Sequence, residues 1–309
     1  MAPFSAPDVL VLAGGGVLGE SWMTGVLAGI EDAAGIDLRR VEAFVGTSAG
    51  SIVAARLAAG RALRRPADWA DPPPEVGEDG DGRSGSVVRE ALRAAGTFAW
   101  AGTAPAASAA LALGAPAGAL VRAAALARMP SGGRRLDRLH DHVARWGSRF
   151  DGRLRICAVD RRTGRRVVFG APGAPPADVA DAVLASCAIP GVFAPVEIGG
   201  REYVDGGVWS VTNLDAAPAG RDAQVLCLDT IAGLDPRTRG MAAMRGAFRV
   251  AAELETQVLR RRGTRVRHIG PDAAAAAAIG PDLMDRTAAD RVLAAGYRQG
   301  RELTAPRSR

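Results

Sequence analysis

The sequence predicts an α/β fold: a mostly parallel central sheet flanked by helices, with a helical insertion. Two observations carry that expectation. Short apolar runs alternate with helical stretches at both ends of the chain, and the first two runs each stop at a glycine-rich turn, as parallel strands do on entering a helix. A third observation narrows the field. Over 309 residues, 48% are hydrophobic and 23% charged, a globular composition that excludes a chain disordered throughout.

The elements follow in order. Asp8 to Ala13 reads DVLVLA and ends at Gly14-Gly15-Gly16, as expected of a strand buried on both faces. Trp22, Val26, Leu27 and Ile30 then recur at helical spacing within Glu20 to Ala34. A second apolar run, Val41 to Val45, ends at Gly46-Thr47-Ser48-Ala49-Gly50, and Ile52 to Ala59 is again helical in pattern. Arg65 to Gly85 holds Pro72-Pro73-Pro74 amid Asp, Glu and Gly and reads as an exposed loop. Val87 to Trp146 is Ala-rich and mostly helical, broken by Pro105, Pro116 and Pro130. Within it, Thr97 to Val121 carries no charge. That stretch is long enough to span a bilayer, but its Ala, Gly and two prolines favour an insertion that packs over the core as a lid or touches lipid.

Strand patterns resume at Leu154 to Val159 and Arg166 to Phe169, joined through Thr163-Gly164. Ala177 to Cys187 is helical and stops before Pro190. Val196 to Val204 reads as a strand pair around Gly199-Gly200 and delivers Asp205-Gly206-Gly207. Gln224 to Leu228 is another buried strand, and helices at Met241 to Arg262 and Leu283 to Leu303 flank a strand at Arg265 to Ile269. The Ala273–Ala278 run is compositional bias without functional signal. One sheet therefore runs through both ends of the chain, so residues 1–309 make a single domain and 61–149 an insertion within it.

Charge and cysteine usage exclude other classes. The 39 basic against 33 acidic side chains give +6, and every one of the basic residues is arginine. With only 5% aromatic residues there is little to stack on bases, so nucleic acid is not an expected partner. An anionic lipid surface is a reasonable one. Cys157, Cys187 and Cys227 lie far apart without a CxxC pair, so free thiols are expected rather than a disulfide framework. No acidic or His/Cys cluster has ligand spacing, so neither a metal nor another cofactor is implied. The N-terminus lacks a basic segment and a signal-length apolar run, and the default location is cytoplasmic, with peripheral membrane contact.

Three short motifs carry chemistry. Gly46-Thr47-Ser48-Ala49-Gly50 fits GxSxG between a strand and a helix, where a sharp turn projects the serine Oγ. Its plainer reading is a turn with a capping serine. Gly14-Gly15-Gly16-Val17-Leu18-Gly19 fits GxGxxG and permits a dinucleotide-binding turn in an NAD(P)-dependent oxidoreductase, with Asp37 near the distance of a ribose-binding acid. Asp37, however, precedes the second strand, whereas the ribose acid belongs at that strand's C-terminal end. The other reading is an oxyanion hole of backbone N–H groups. Asp205 leaves a strand into Gly206 and Gly207 and can reach across the sheet edge, or it is a turn aspartate. Of the three histidines, His140 and His142 sit in the Arg-rich insertion, and only His268 suits a Ser…Asp…His chain order.

Together GGGVLG (Gly14–Gly19), GTSAG around Ser48, and ASCAIPGVFAPVEIGGREYVDGG from Ala185 to Gly207 resemble the patatin-like phospholipases. The matching blocks cover residues 8–60 and about 150–230. The resemblance implies lipid acyl hydrolysis through a covalent acyl-serine and a Ser–Asp dyad without histidine. Ser48 would be the nucleophile, Asp205 the general base, and Gly15 and Gly16 the oxyanion donors. It also implies a lipid or acyl-ester substrate. The family often has Arg or Lys where this chain has Leu18, which bears on phosphate headgroups. Two other activities remain open on the same fold: acyl transfer through the same dyad, and lipid binding without catalysis.

Overall fold

The computed structural model describes residues 5–66, 116–233 and 242–305. Eight strands form one sheet: β1 (Val9–Leu12), β2 (Ala43–Thr47), β3 (Leu154–Asp160), β4 (Arg166–Phe169), β5 (Val196–Ile198), β6 (Arg201–Asp205), β7 (Gln224–Leu228) and β8 (Arg265–Ile269). Their order is β5-β6-β3-β2-β1-β7-β8, with β4 paired to β3 off that path. β3, β2, β1, β7 and β8 run parallel, whereas β4, β5 and β6 pair antiparallel. The sequence expectation of a mostly parallel sheet holds.

The helices are α1 (Gly16–Ala34), α2 (Ala49–Ala58), α3 (Pro116–Arg128), α4 (Asp137–Ala144), α5 (Val179–Cys187), α6 (Ala242–Arg261), α7 (Ala273–Ile279) and α8 (Ala289–Thr304). Strand alternation sorts the core. Leu10 and Leu12 face the larger core with Trp22, Phe44 and Ile156, while Val9 and Val11 face a second core of Val45, Cys157, Leu214, Cys227 and Leu259. All three cysteines are free, and Cys157 and Cys227 are buried.

α1 and α8 pack at backbone contact. A Cβ at Gly29 would overlap the Tyr297 carbonyl oxygen, and one at Gly300 would overlap that of Val26. The Trp22 indole N–H donates to Gln299 Oε1 at 2.8 Å, and Gln299 Nε2 donates to the Gly270 carbonyl at 2.8 Å. The seam thus satisfies the polar atoms that it buries.

The last helix departs most from the sequence pattern. The helix expected from Leu283 starts at Ala289. Before it, Asp282 accepts from the Met284 N–H and Asp285 from the Thr287 N–H, each at 3.0 Å, and these side-chain turns displace helix. The Ala273–Ala278 run is a helix capped by Asp272, which accepts from the Ala275 N–H at 2.7 Å. Of the region 61–149, the described part includes α3 and α4, which bury Leu126, Leu139 and Val143 against the core. Most of the uncharged stretch Thr97–Val121 and of the loop Arg65–Gly85 lies outside the described residues. Among the described residues no helix is long and apolar enough to cross a membrane.

Candidate active site

β1 and β2 are parallel neighbours, with Leu12 opposite Gly46, so both glycine turns emerge side by side at one sheet edge. Ser48 joins β2 to α2 at φ 50°, ψ −124°, a left-handed backbone that non-glycine residues adopt under local constraint. Several bonds hold it there. The Ser48 N–H donates to Ser186 Oγ at 2.8 Å, and Ser186 Oγ donates to the Cys157 carbonyl at 2.7 Å. Ser51 Oγ donates to the Ser48 carbonyl at 2.6 Å. Gly50 passes so close to β1 that a Cβ would overlap the Leu12 carbonyl oxygen. The Ser48 hydroxyl makes no capping bond to α2, which corrects the plainer reading of this turn.

β6 runs antiparallel to β3, and Asp205 at its end pairs with Ala158, next to the Cys157 that lies opposite Thr47. The sheet register thus brings Asp205 to the level of Ser48. Burial pushes the Asp205 carboxyl up to about 6, opposed by the hydrogen bond from the Gly207 N–H, at 2.7 Å, and by the nearby Ser48 side chain. Gly206 lies against β3, where a Cβ would overlap the Cys157 carbonyl oxygen.

The first glycine turn closes the third side. Gly14 faces Ser48, a Cβ there falling 3.5 Å from the serine Cβ, and its N–H donates to the Val211 carbonyl at 3.0 Å. Gly15 packs on the buried Thr230, whose Oγ1 has no partner among the described residues. Gly16 has φ 62° and packs against Leu283 and Met284. At the start of α1 the Leu18 N–H donates to the Leu283 carbonyl and the Gly19 N–H to the Gly15 carbonyl. The N–H groups of Gly15, Gly16 and Val17 have no such acceptor among the described residues. Unpaired donors at a helix N-terminus favour an anion. Leu18 itself is buried in the larger core.

Two alternatives lose their geometry. Asp37 caps the turn before β2 and binds Arg39 at 2.7 Å and Arg40 at 3.4 Å. It therefore sits at the end of β2 opposite the glycine turn, which agrees with its place before that strand in the sequence and leaves it no role as a ribose acid. His268 lies on β8, three strands from β2, roughly 14 Å at ordinary strand spacing. Its Nε2 contacts Thr256 Oγ1 at 3.2 Å, and its charged neighbours are Asp229, Glu253 and Arg260. His140 lies 3.4 Å from Asp181, and the half-buried His142 ring packs edge-on against Trp146. A Ser–His–Asp triad is not assembled from any of them.

The sequence reading assigned nothing to Ser186, Thr230 or Asn213. Ser186 was visible only as one letter in a long motif, and Thr230 follows a strand without any glycine signal. Asn213, at φ 47°, is fully buried and touches both turns. Apolar walls lie nearby: Val192 and Phe193 cluster with Leu136, Ile189 and the Met284 that covers Gly16. Trp209 is not purely apolar, since the Arg122 guanidinium sits 4.1 Å over its ring. Among the described residues no group of His, Cys, Asp and Glu could hold a metal ion. A groove of about 440 Å³ lies apart from Ser48, lined by Arg155, Val168, Ala216 and Arg262.

A family model described as patatin-like phospholipase matches residues 10–218. Solved structures that match include VipD from Legionella pneumophila, at 15% identity and a TM-score of 0.43, covering 98% of this chain and 67% of that one. The type III effector protein ExoU matches at 18% identity and a TM-score of 0.36, covering 97% of this chain and 53% of that one. A search of curated proteins finds no match.

Proposed function

The chain belongs to the patatin-like phospholipase family, a family of lipid acyl hydrolases acting on ester bonds, and from that premise we propose that it cleaves lipid esters through a covalent acyl-serine formed on Ser48. Asp205 accepts the hydroxyl proton as Oγ attacks the acyl carbonyl. The Gly15 and Gly16 N–H groups hold the oxygen that becomes negative. The protonated Asp205 gives its proton to the departing alcohol. Water then attacks the acyl-serine, losing a proton to Asp205, which returns it to Ser48 Oγ as the acyl–oxygen bond breaks and the fatty acid leaves. The buried Asp205 is a better base than an exposed aspartate because burial raises its affinity for the proton.

The single observation that carries this reading is the placement of the Ser48 side chain, at a strained and capless turn, close enough to the buried Asp205 carboxyl to oppose the rise that burial gives it. The Phe193–Met284 wall beside Gly16 suits an acyl chain more than a charged group. The single-domain organisation, with 61–149 as its insertion, belongs to the same proposal. Turnover of a chromogenic acyl ester by Ser48→Ala is the test. We expect loss by about 10⁴ or more, as for other serine nucleophiles, with the fold retained. Undiminished turnover would remove Ser48 from the chemistry.

A further inference from the structure

We propose that Asn213 is a positioning residue that sets the separation of the Ser48 and Asp205 turns. The inference rests on the Ser48–Asp205 reading above. The Asn213 amide nitrogen donates to Thr47 Oγ1 at 3.1 Å, to the Gly206 carbonyl at 3.3 Å and to the Ser210 carbonyl at 2.5 Å. Thr47 immediately precedes the nucleophile, and Gly206 immediately follows the base. One rigid amide therefore ties together the two chain segments whose spacing decides whether a proton can pass between them. Neither segment is bonded to the other by ladder pairing, because β3 lies between β2 and β6.

The tie is anchored from behind. The Asn213 carbonyl oxygen accepts from Arg166 Nη1 at 3.1 Å, and Arg166 makes a bidentate pair with Asp215 at 2.5 and 2.8 Å. On the other side, Glu255 of α6 accepts from the Leu214 N–H at 2.8 Å and from Thr212 Oγ1 at 2.6 Å. Only an amide fits this place, since it must donate towards Thr47 and Gly206 and accept from an arginine at once. Asparagine also tolerates the left-handed backbone found here. A carboxylate could not donate, and a glycine would keep the backbone while losing the tie.

The test compares Asn213→Gly with Thr47→Val, which removes the acceptor at the far end of the same bond. Displacement of a reacting group by about 1 Å can cost on the order of 10²-fold in rate. Both variants should therefore lower kcat by about tenfold to a hundredfold, with KM within about threefold. The double variant should lose little more than Asn213→Gly alone, because the two residues act through one contact. Val225→Ala, a core change remote from the edge, serves as a stability control and should keep kcat at a matched fall in Tm. The inference is overturned if Asn213→Gly keeps kcat while Ser48→Ala is inactive, if the two losses multiply in the double variant, or if Val225→Ala loses kcat to the same degree. Turnover that survives Ser48→Ala would instead bring down the premise, and the two failures are thereby distinguishable.

Discussion

α1 takes part in two regions built from glycine for opposite ends. In its middle, Gly25 and Gly29 let α8 approach until backbone meets backbone, and Gly296 and Gly300 answer from the other side. That seam is apolar, closely packed and internally satisfied, down to the Trp22–Gln299 bond. At the start of α1, the Gly14–Gly16 turn holds N–H groups that have no acceptor among the described residues, and it packs on the Thr230 hydroxyl, which has no partner among them. Its neighbours are a serine at positive φ and a buried carboxyl raised to about 6. The same residue type supplies stability in one place and stores polar and backbone strain in the other. Substitutions should therefore separate the two: seam changes cost stability at constant chemistry, and changes to the Asp205 carboxyl cost chemistry while leaving or raising stability.

Asp205→Asn should give the largest separation. Loss of the general base predicts a fall in kcat of about 10²–10⁴, read with a soluble acyl ester. Stability should move the other way. Because burial raises the Asp205 carboxyl from 3.8 to about 6, the native state holds this proton more tightly than the unfolded chain does. Stability from this group is therefore present below about pH 4 and is lost as pH rises to about 6, a cost on the order of 3 kcal/mol above that window. The variant should accordingly show a higher Tm than the wild type at pH 8 and a similar one near pH 4. A lower Tm at pH 8 would break the contrast.

Gly29→Ala is the converse. A methyl group there overlaps the Tyr297 carbonyl oxygen, and overpacking of this kind costs about 1–3 kcal/mol. The melting temperature should fall while kcat per folded molecule stays within about threefold, as expected when only remote packing is changed. The smallest effect belongs to the histidines. Replacing His140, His142 and His268 together should leave kcat nearly unchanged, because none of them approaches the Ser48 edge. Loss of turnover confined to the His268 variant would restore a triad.

Much of the edge could be read from the sequence because its signals are local. A strand ending in glycines predicts where a turn opens, and three such turns, at Gly14, Gly46 and Gly206, are the three sides of the site. One alternative, His268, was decided by sheet order, which no local pattern contains, whereas Asp37 already stood before β2 in the sequence. Asp37 lies at the far end of β2 and His268 on the far edge strand. The seam was not read as such, since Gly25, Gly29, Gly296 and Gly300 pair across the length of the chain. Asn213 escaped for the same reason: its partners Thr47, Arg166 and Gly206 lie in three separate segments, and an asparagine in a loop is ordinary by itself. The late start of α8 reflects Asp282 and Asp285, whose side chains turn the backbone where apolar spacing alone continues a helix.

The most direct measurement is the rate at which a fluorophosphonate modifies Ser48, followed by intact-protein mass across pH in the histidine-free variant. A carboxylate base raised to about 6 predicts one adduct on Ser48, with a rate that climbs through pH 6 and levels off above it, and loss of that limb in Asp205→Asn. An adduct on another residue, or a pH limb that disappears with the histidines and survives Asp205→Asn, would contradict the account.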